Sequence, residues 1–189
     1  FNSERVPSFL RHSVGGHGLY DCALTGNLKW PGMELKRKLF AERPEIFAMR
    51  DGERFLSPEG MGRYCISNEY LQSLVVEEGL LFFKTYGVKN GTFHLGISDY
   101  GSGWCECNEC LRQNQVEKYQ NDISTLFHNS MTGISKKVYA AYPTANIVAA
   151  AYASHHEVPR SGYDPDPRLQ IEFCTHPRCY GHFLDDPAC

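Results

Sequence analysis

Three short runs of nearly unbroken apolar residues, 92–98 (TFHLGIS), 146–151 (NIVAAA) and 169–174 (LQIEFC), separated by longer segments, limit this chain to few architectures. A strand that is apolar on both sides needs cover on both faces, and parallel strands joined through helices receive it. The intervening segments have helical periodicity. Ser67-Asn68-Glu69 has the form of a helix start, and Leu71, Leu74, Val75, Gly79, Leu81, Phe82 and Phe83 follow as an apolar face that ends at Tyr86-Gly87. A second long helix is predicted over 116–142, with Tyr119, Ile123, Leu126, Phe127, Ile134, Val138 and Tyr139 on one side and Pro143 closing it.

Helix, strand, helix, strand, loop, strand is the order of parallel β/α units, so an α/β fold is expected, a partial or complete (β/α) barrel or a related open sheet. A complete barrel takes roughly 200 to 400 residues, and this chain of 189 shows only three or four strands. The expectation is therefore one β/α-barrel-like domain over 1–189, a fragment of a longer multidomain chain. Its β/α units occupy 67–189. Residues 1–66 are loop-rich, with Gly15-Gly16, Gly26-Asn27, Pro31-Gly32 and Ser57-Pro58-Glu59-Gly60 around a single helical stretch at 33–41.

Composition removes several classes. With 42% hydrophobic residues the chain has enough apolar side chain for a sizeable core, which excludes disorder as the main reading. The formal net charge of −3 gives no basic surplus for a nucleic-acid backbone or an anionic membrane surface. No apolar run is long enough for a membrane span. There is no phosphate-binding G-x-x-x-x-G-K-[ST], no G-x-G-x-x-G after a strand, no H-E-x-x-H and no G-x-S-x-G, so kinase, dehydrogenase, zincin and α/β-hydrolase readings lack support.

In barrel-like units chemistry sits beyond the C-terminal ends of the strands. Those positions hold Ser98, Asp99 and Tyr100 after the first strand, and Tyr152, Ser154, His155, His156 and Glu157 after the second. After the third come Cys174, His176, Arg178, Cys179 and His182. Glycosidic cleavage usually uses two carboxyl groups, and aromatic rings beside them suit the C–H faces of a sugar. Asp99 is the first carboxylate candidate, with Glu157 or the mid-strand Glu172 as its partner. Tyr100, Trp104, Tyr152 and His155, together with His17 between glycines, are the candidate substrate contacts.

Cys105, Cys107 and Cys110 form a C-x-C-x-x-C run immediately before a helix. Three thiols this close do not readily bond one another, because a disulfide needs Cα separations of about 4.4 to 6.8 Å with specific dihedrals. They can converge on one ion, and a tetrahedral zinc site then needs a remote fourth ligand. Cys174, Cys179, His176 and His182 are the candidates, with Cys179 the preferred choice. Structural zinc and disulfides formed in an oxidising compartment both stay open. Cys22 and Cys65 read as lone, buried cysteines, and Cys179 with Cys189 as a possible disulfide pair.

Gly15-Gly16-His17, the run from Glu42 to Arg54, Cys65-Ile66-Ser67-Asn68, the cysteine run from Cys105 to Cys110, Tyr142-Pro143, Ala151-Tyr152, Arg178-Cys179-Tyr180-Gly181-His182 and Asp186-Pro187-Ala188-Cys189 occur in that order. Together they resemble the bacterial family called domain of unknown function 4838, over about 15–189. The resemblance implies a barrel of glycoside-hydrolase type inside a larger, often exported protein (periplasmic or extracellular), with an α-glucuronidase-like or hexosaminidase-like domain upstream. It places members in bacteria that degrade complex polysaccharides. His17, Asp99, Cys105, Cys107, Cys110, Cys179 and His182 match the family's recurring positions. The family's Asn-Asp pair followed by glycines is here Ser98-Asp99-Tyr100-Gly101, which shifts Asp99 by one place.

The expected function is thus that of a carbohydrate-active, glycoside-hydrolase-like protein that acts on or binds complex polysaccharide. The alternative is a non-catalytic glycan-binding or zinc-stabilised scaffold domain. The expected partners are a carbohydrate ligand and the upstream domains of the parent chain, with neither nucleic acid nor membrane insertion.

Overall fold

A computed structural model describes residues 33–56, 64–89, 91–96, 103–118 and 122–174. In chain order these form α1 (Met33–Glu42), a 3-10 turn (Pro44–Ile46), β1 (Met49–Arg50), β2 (Glu53–Arg54) and α2 (Glu69–Tyr86). Then follow β3 (Thr92–Leu95), α3 (Asn108–Gln113), α4 (Ser124–Ala141), β4 (Asn146–Ala151), a 3-10 turn (Ala153–His155) and β5 (Gln170–Phe173).

Helix α2 starts where Asn68 Oδ1 accepts the Leu71 N–H at 2.9 Å, satisfying a donor that the helix cannot pair internally. It stops at Gly87, whose φ of 76° turns the chain out of the helix. Leu71, Val75, Gly79, Phe82 and Phe83 lie along its buried stripe. The Phe82 and Phe83 rings pack on Phe93 of β3, with centroids 5.6 and 6.3 Å away. Gly79 lets α4 approach, since a Cβ there would lie 3.0 Å from Val138 Cγ2 and 3.2 Å from Phe93 Cε1. Helices α2 and α4 therefore meet over Phe93.

β3, β4 and β5 form a parallel sheet in that order, with Phe93 opposite Ile147 and Ala149 opposite Ile171. Phe93, Leu95, Ile147 and Ala149 are buried on the helix-covered side. By strand alternation His94, Val148, Ala150 and Glu172 share the other face, where His94 Nδ1 lies 4.0 Å from Glu172 Oε2. Burial holds His94 below its ordinary pKa, and the Glu172 charge opposes that shift.

The described sheet has three parallel strands and is not closed. Three details differ from the sequence reading. The helix expected over 116–142 starts only at Ser124, and the short α3 precedes it. The first strand runs Thr92–Leu95, residue 96 is outside it, and residues 97 and 98 of the expected run lie outside the described residues. β5 is exposed along its length, with Ile171 and Phe173 at 44% and 59%, and within the apolar run 169–174 the buried position is Leu169, just ahead of the strand.

The β4–β5 crossover has a 3-10 turn in place of an α-helix and is tied by polar contacts to α4 and to Asp122 just ahead of it. Arg160 Nη2 pairs with Asp122 at 2.8 Å, Lys136 with Asp164 at 3.2 Å, and the Tyr139 hydroxyl donates to the Arg168 carbonyl at 2.9 Å. Asp166 accepts from Arg168 N and Nε at 3.0 and 2.9 Å through Oδ1, and from Nη2 at 2.7 Å through Oδ2. The Arg168 guanidinium is the main cause that holds the Asp166 carboxyl down at about 2. A carboxylate depressed on folding stabilises above its unfolded pKa, and the contribution fades as pH falls through the folded value. Asp166→Asn should thus cost about 1 to 2 kcal/mol near pH 6. That difference from the parent, read by chemical denaturation, should shrink as the pH falls from about 4 towards 2.

Candidate metal centre and strand-end face

Asp51 and Gly52 sit at φ 51° and 84°, the left-handed pair that closes a two-residue hairpin with the twist of its strands. That turn folds β2 back on β1 and sets Arg54 opposite Met49. Phe47 bridges Tyr64, and the Cys65 N–H donates to the Ile46 carbonyl at 2.9 Å. Cys65 is thereby fixed just ahead of the α2 cap. Cys107 is the residue that opens α3, and Cys110 lies in its first turn.

These segments bring four buried thiols together. Cys65, Cys105, Cys107 and Cys110 have their Sγ atoms all within 4.8 Å of one another. Cys65 Sγ is 3.6 Å from both Cys107 Sγ and Cys110 Sγ, far beyond the S–S bond length of about 2.05 Å. All four are free thiols. A tetrahedral ion with Zn–S bonds of about 2.3 Å would hold its sulfurs about 3.8 Å apart, so the spacing fits a four-thiolate ion.

Donors surround the cluster. Met49 N–H points to Cys105 Sγ at 3.2 Å, and Arg54 Nη1 lies 3.5 Å from the same sulfur while donating to the Phe47 carbonyl at 2.7 Å. The buried Ser67 hydroxyl is 3.0 Å from Cys110 Sγ and 3.3 Å from Cys65 Sγ. Four acids this close share protons unequally. Cys105 is the foremost cause that brings the Cys65 thiol down to about 6 and Cys107 far lower, whereas Cys105 and Cys110 are pushed up by their thiol neighbours. Burial works against the Arg54 charge, but the thiols of Cys65, Cys105 and Cys107 outweigh it and keep its pKa raised.

Beside the centre lies the end of β4. Trp104, adjacent to Cys105 and buried, donates from Nε1 to Ser154 Oγ at 2.8 Å. Ala153 adopts a left-handed φ of 48°, which costs about 1 kcal/mol or more for a residue with a Cβ. The Ser154 carbonyl accepts the Ile123 N–H at 2.7 Å. The His155 ring is buried, with centroids 4.3 Å from Phe127, 6.4 Å from Trp104 and 6.5 Å from Tyr152.

The sequence model of the family described as Domain of unknown function (DUF4838) matches residues 29–188. The chain belongs to the DUF4838 family. No curated protein and no solved structure matches it.

In this DUF4838 chain the fourth thiol is Cys65, which the sequence reading set aside as a lone buried cysteine. The signal was present: Cys65-Ile66-Ser67-Asn68, like the cysteine run from Cys105 to Cys110, leads directly into a helix. Cys179, the preferred fourth ligand from sequence, lies outside the described residues, as do His176, His182, Cys22, Cys189, His17, Asp99 and Tyr100. Trp104 and His155 are enclosed and Tyr152 is half-buried. Glu157 is exposed, its Oε1 3.0 Å from His156 Nε2 and its N–H donating to Ser124 Oγ at 3.0 Å, on the α4 side of the strand end. Among the described residues no helix is long and apolar enough to cross a membrane.

Proposed function

We propose that this chain is a carbohydrate-active domain of glycoside-hydrolase type whose thiol centre holds a structural zinc ion. The observation that carries the reading is the aromatic and hydroxyl cluster of Tyr152, Ser154, His155 and Trp104 at the C-terminal end of a parallel strand, where β/α enzymes place their ligands. Tyr152 is the sugar-facing ring, with Ser154, His155 and Trp104 as the wall behind it. His17 and Tyr100 complete the contacts, and Asp99 with Glu157 supplies the carboxyl pair. The enclosing protein is exported, and its upstream domains are this domain's neighbours.

Zinc suits the centre because four thiolates form a soft, closed donor set with no open position for water, which makes the ion a brace rather than a Lewis acid. Four thiolates around a divalent ion leave a net charge of −2, which Arg54 and the Met49 N–H partly offset. Arg54→Met should therefore weaken zinc binding about 10- to 100-fold in a chelator competition. The burial of all four thiols also favours the zinc-stabilised scaffold as the second reading.

The carbohydrate reading is tested by a thermal-shift screen of soluble oligosaccharides representing the common polysaccharide backbones, with reducing-end release measured on the same set. A ligand at about a hundred times its Kd adds about 2.7 kcal/mol, or about 5 to 11 °C for a chain of this size. One such sugar, with its shift lost in Tyr152→Ala, supports the reading. A full set without a shift or release leaves the scaffold.

A further inference from the structure

Residues 103–106 carry Trp104, one part of the wall at the strand end, yet they lie in neither helix nor strand. Gly103 enters at φ 82°, so the backbone turns there and gives the segment no regular ladder. The Glu106 N–H donates to the Met49 carbonyl at 2.9 Å, Cys105 Sγ receives the Met49 N–H, and the Trp104 indole reaches Ser154 Oγ. One end of this short span is a metal ligand and the other is a side chain of the strand-end face. Trp104 and Cys105 are consecutive, so the sulfur cannot move far without dragging the indole.

We propose that metal occupancy of the four-thiol centre sets the position of Trp104, and through Ser154 and His155 the shape of the strand-end face. The inference rests on the zinc reading above and does not need the sugar. With the ion bound, Cys105 is fixed against Cys65, Cys107 and Cys110, and the indole N–H is aimed at Ser154 Oγ. Without it, Cys105 loses its fixed distance to the others, and the indole of the adjoining Trp104 loses the anchor that the bound sulfur gives it. Coupling of this kind is reciprocal: a change at Ser154 must alter metal affinity by the same factor that metal alters the Trp104–Ser154 contact.

The chain contains two tryptophans, so Trp30→Phe leaves Trp104 as the sole indole. In that reduced, zinc-loaded background, withdrawal of zinc with a chelator should shift Trp104 emission to the red and increase its quenching by acrylamide. One equivalent of zinc should reverse both. Adding Ser154→Ala, which changes a residue outside the four-thiol set, should weaken zinc binding about fivefold or more. It should also make Trp104 more quenchable in the loaded, folded protein, a readout that holds even where the metal-free chain unfolds. Stoichiometric zinc uptake with wild-type affinity and unchanged Trp104 quenching in Ser154→Ala would overturn the coupling while leaving the zinc centre intact. Failure to take up zinc at all would remove both.

Discussion

Withdrawal of the metal from the four thiols is expected to lower the melting temperature of the chain by about 8 to 16 °C. The figure follows from linkage: free metal at about a thousand times its Kd adds about 4 kcal/mol to the folded state, and each kcal/mol moves the midpoint about 2 to 4 °C at this length. An ion there would join segments that are short or irregular. β1 and β2 have two residues each, and residues 103–106 have no regular structure. Cys110→Ser should produce the same drop, since this thiol is 1% exposed and a hydroxyl does not replace its thiolate as a ligand. The variant's melting curve should then be insensitive to chelator. A chelator-sensitive midpoint in Cys110→Ser, or an unmoved midpoint in the parent, would contradict the account.

The second large effect is expected in the core. Phe93 is fully buried at the point where α2, α4 and β3 meet, with Phe82 and Phe83 around its ring. Phe93→Ala removes that ring and leaves a cavity that two helices and a strand cannot easily close, at a cost of about 3 to 5 kcal/mol. Chemical denaturation should show the loss with metal bound, together with a retained equivalent of zinc, because no thiol lies on β3. Loss of zinc in this variant would mean that core and centre fold as one unit.

Much of the fold could be read from the sequence because its signals are local. Asn68 before an apolar stripe gave the start of α2, and the unbroken run of residues 146–151 gave β4 at its full length. The hairpin was missed although Asp51-Gly52 is the turn pair that such hairpins favour, since strands of two residues show no alternation. The gap between α3 and α4 was missed because apolar residues such as Ile123 continue the helical spacing through it. The centre could be read for three of its thiols, which are close in sequence. The fourth, Cys65, comes from 42 residues ahead of Cys107, and the Phe47–Tyr64 bridge and the Cys65–Ile46 backbone bond help bring it in. A contact across that separation is a tertiary fact, and spacing does not encode it.

The most direct test is native mass spectrometry of the reduced chain, with the metal identified by elemental analysis, on the parent, Cys65→Ser and Cys179→Ser. The account predicts one zinc per chain in the parent, loss of the stoichiometric ion in Cys65→Ser, and full retention in Cys179→Ser. A parent without metal, or an ion that survives Cys65→Ser and is lost in Cys179→Ser, would contradict it.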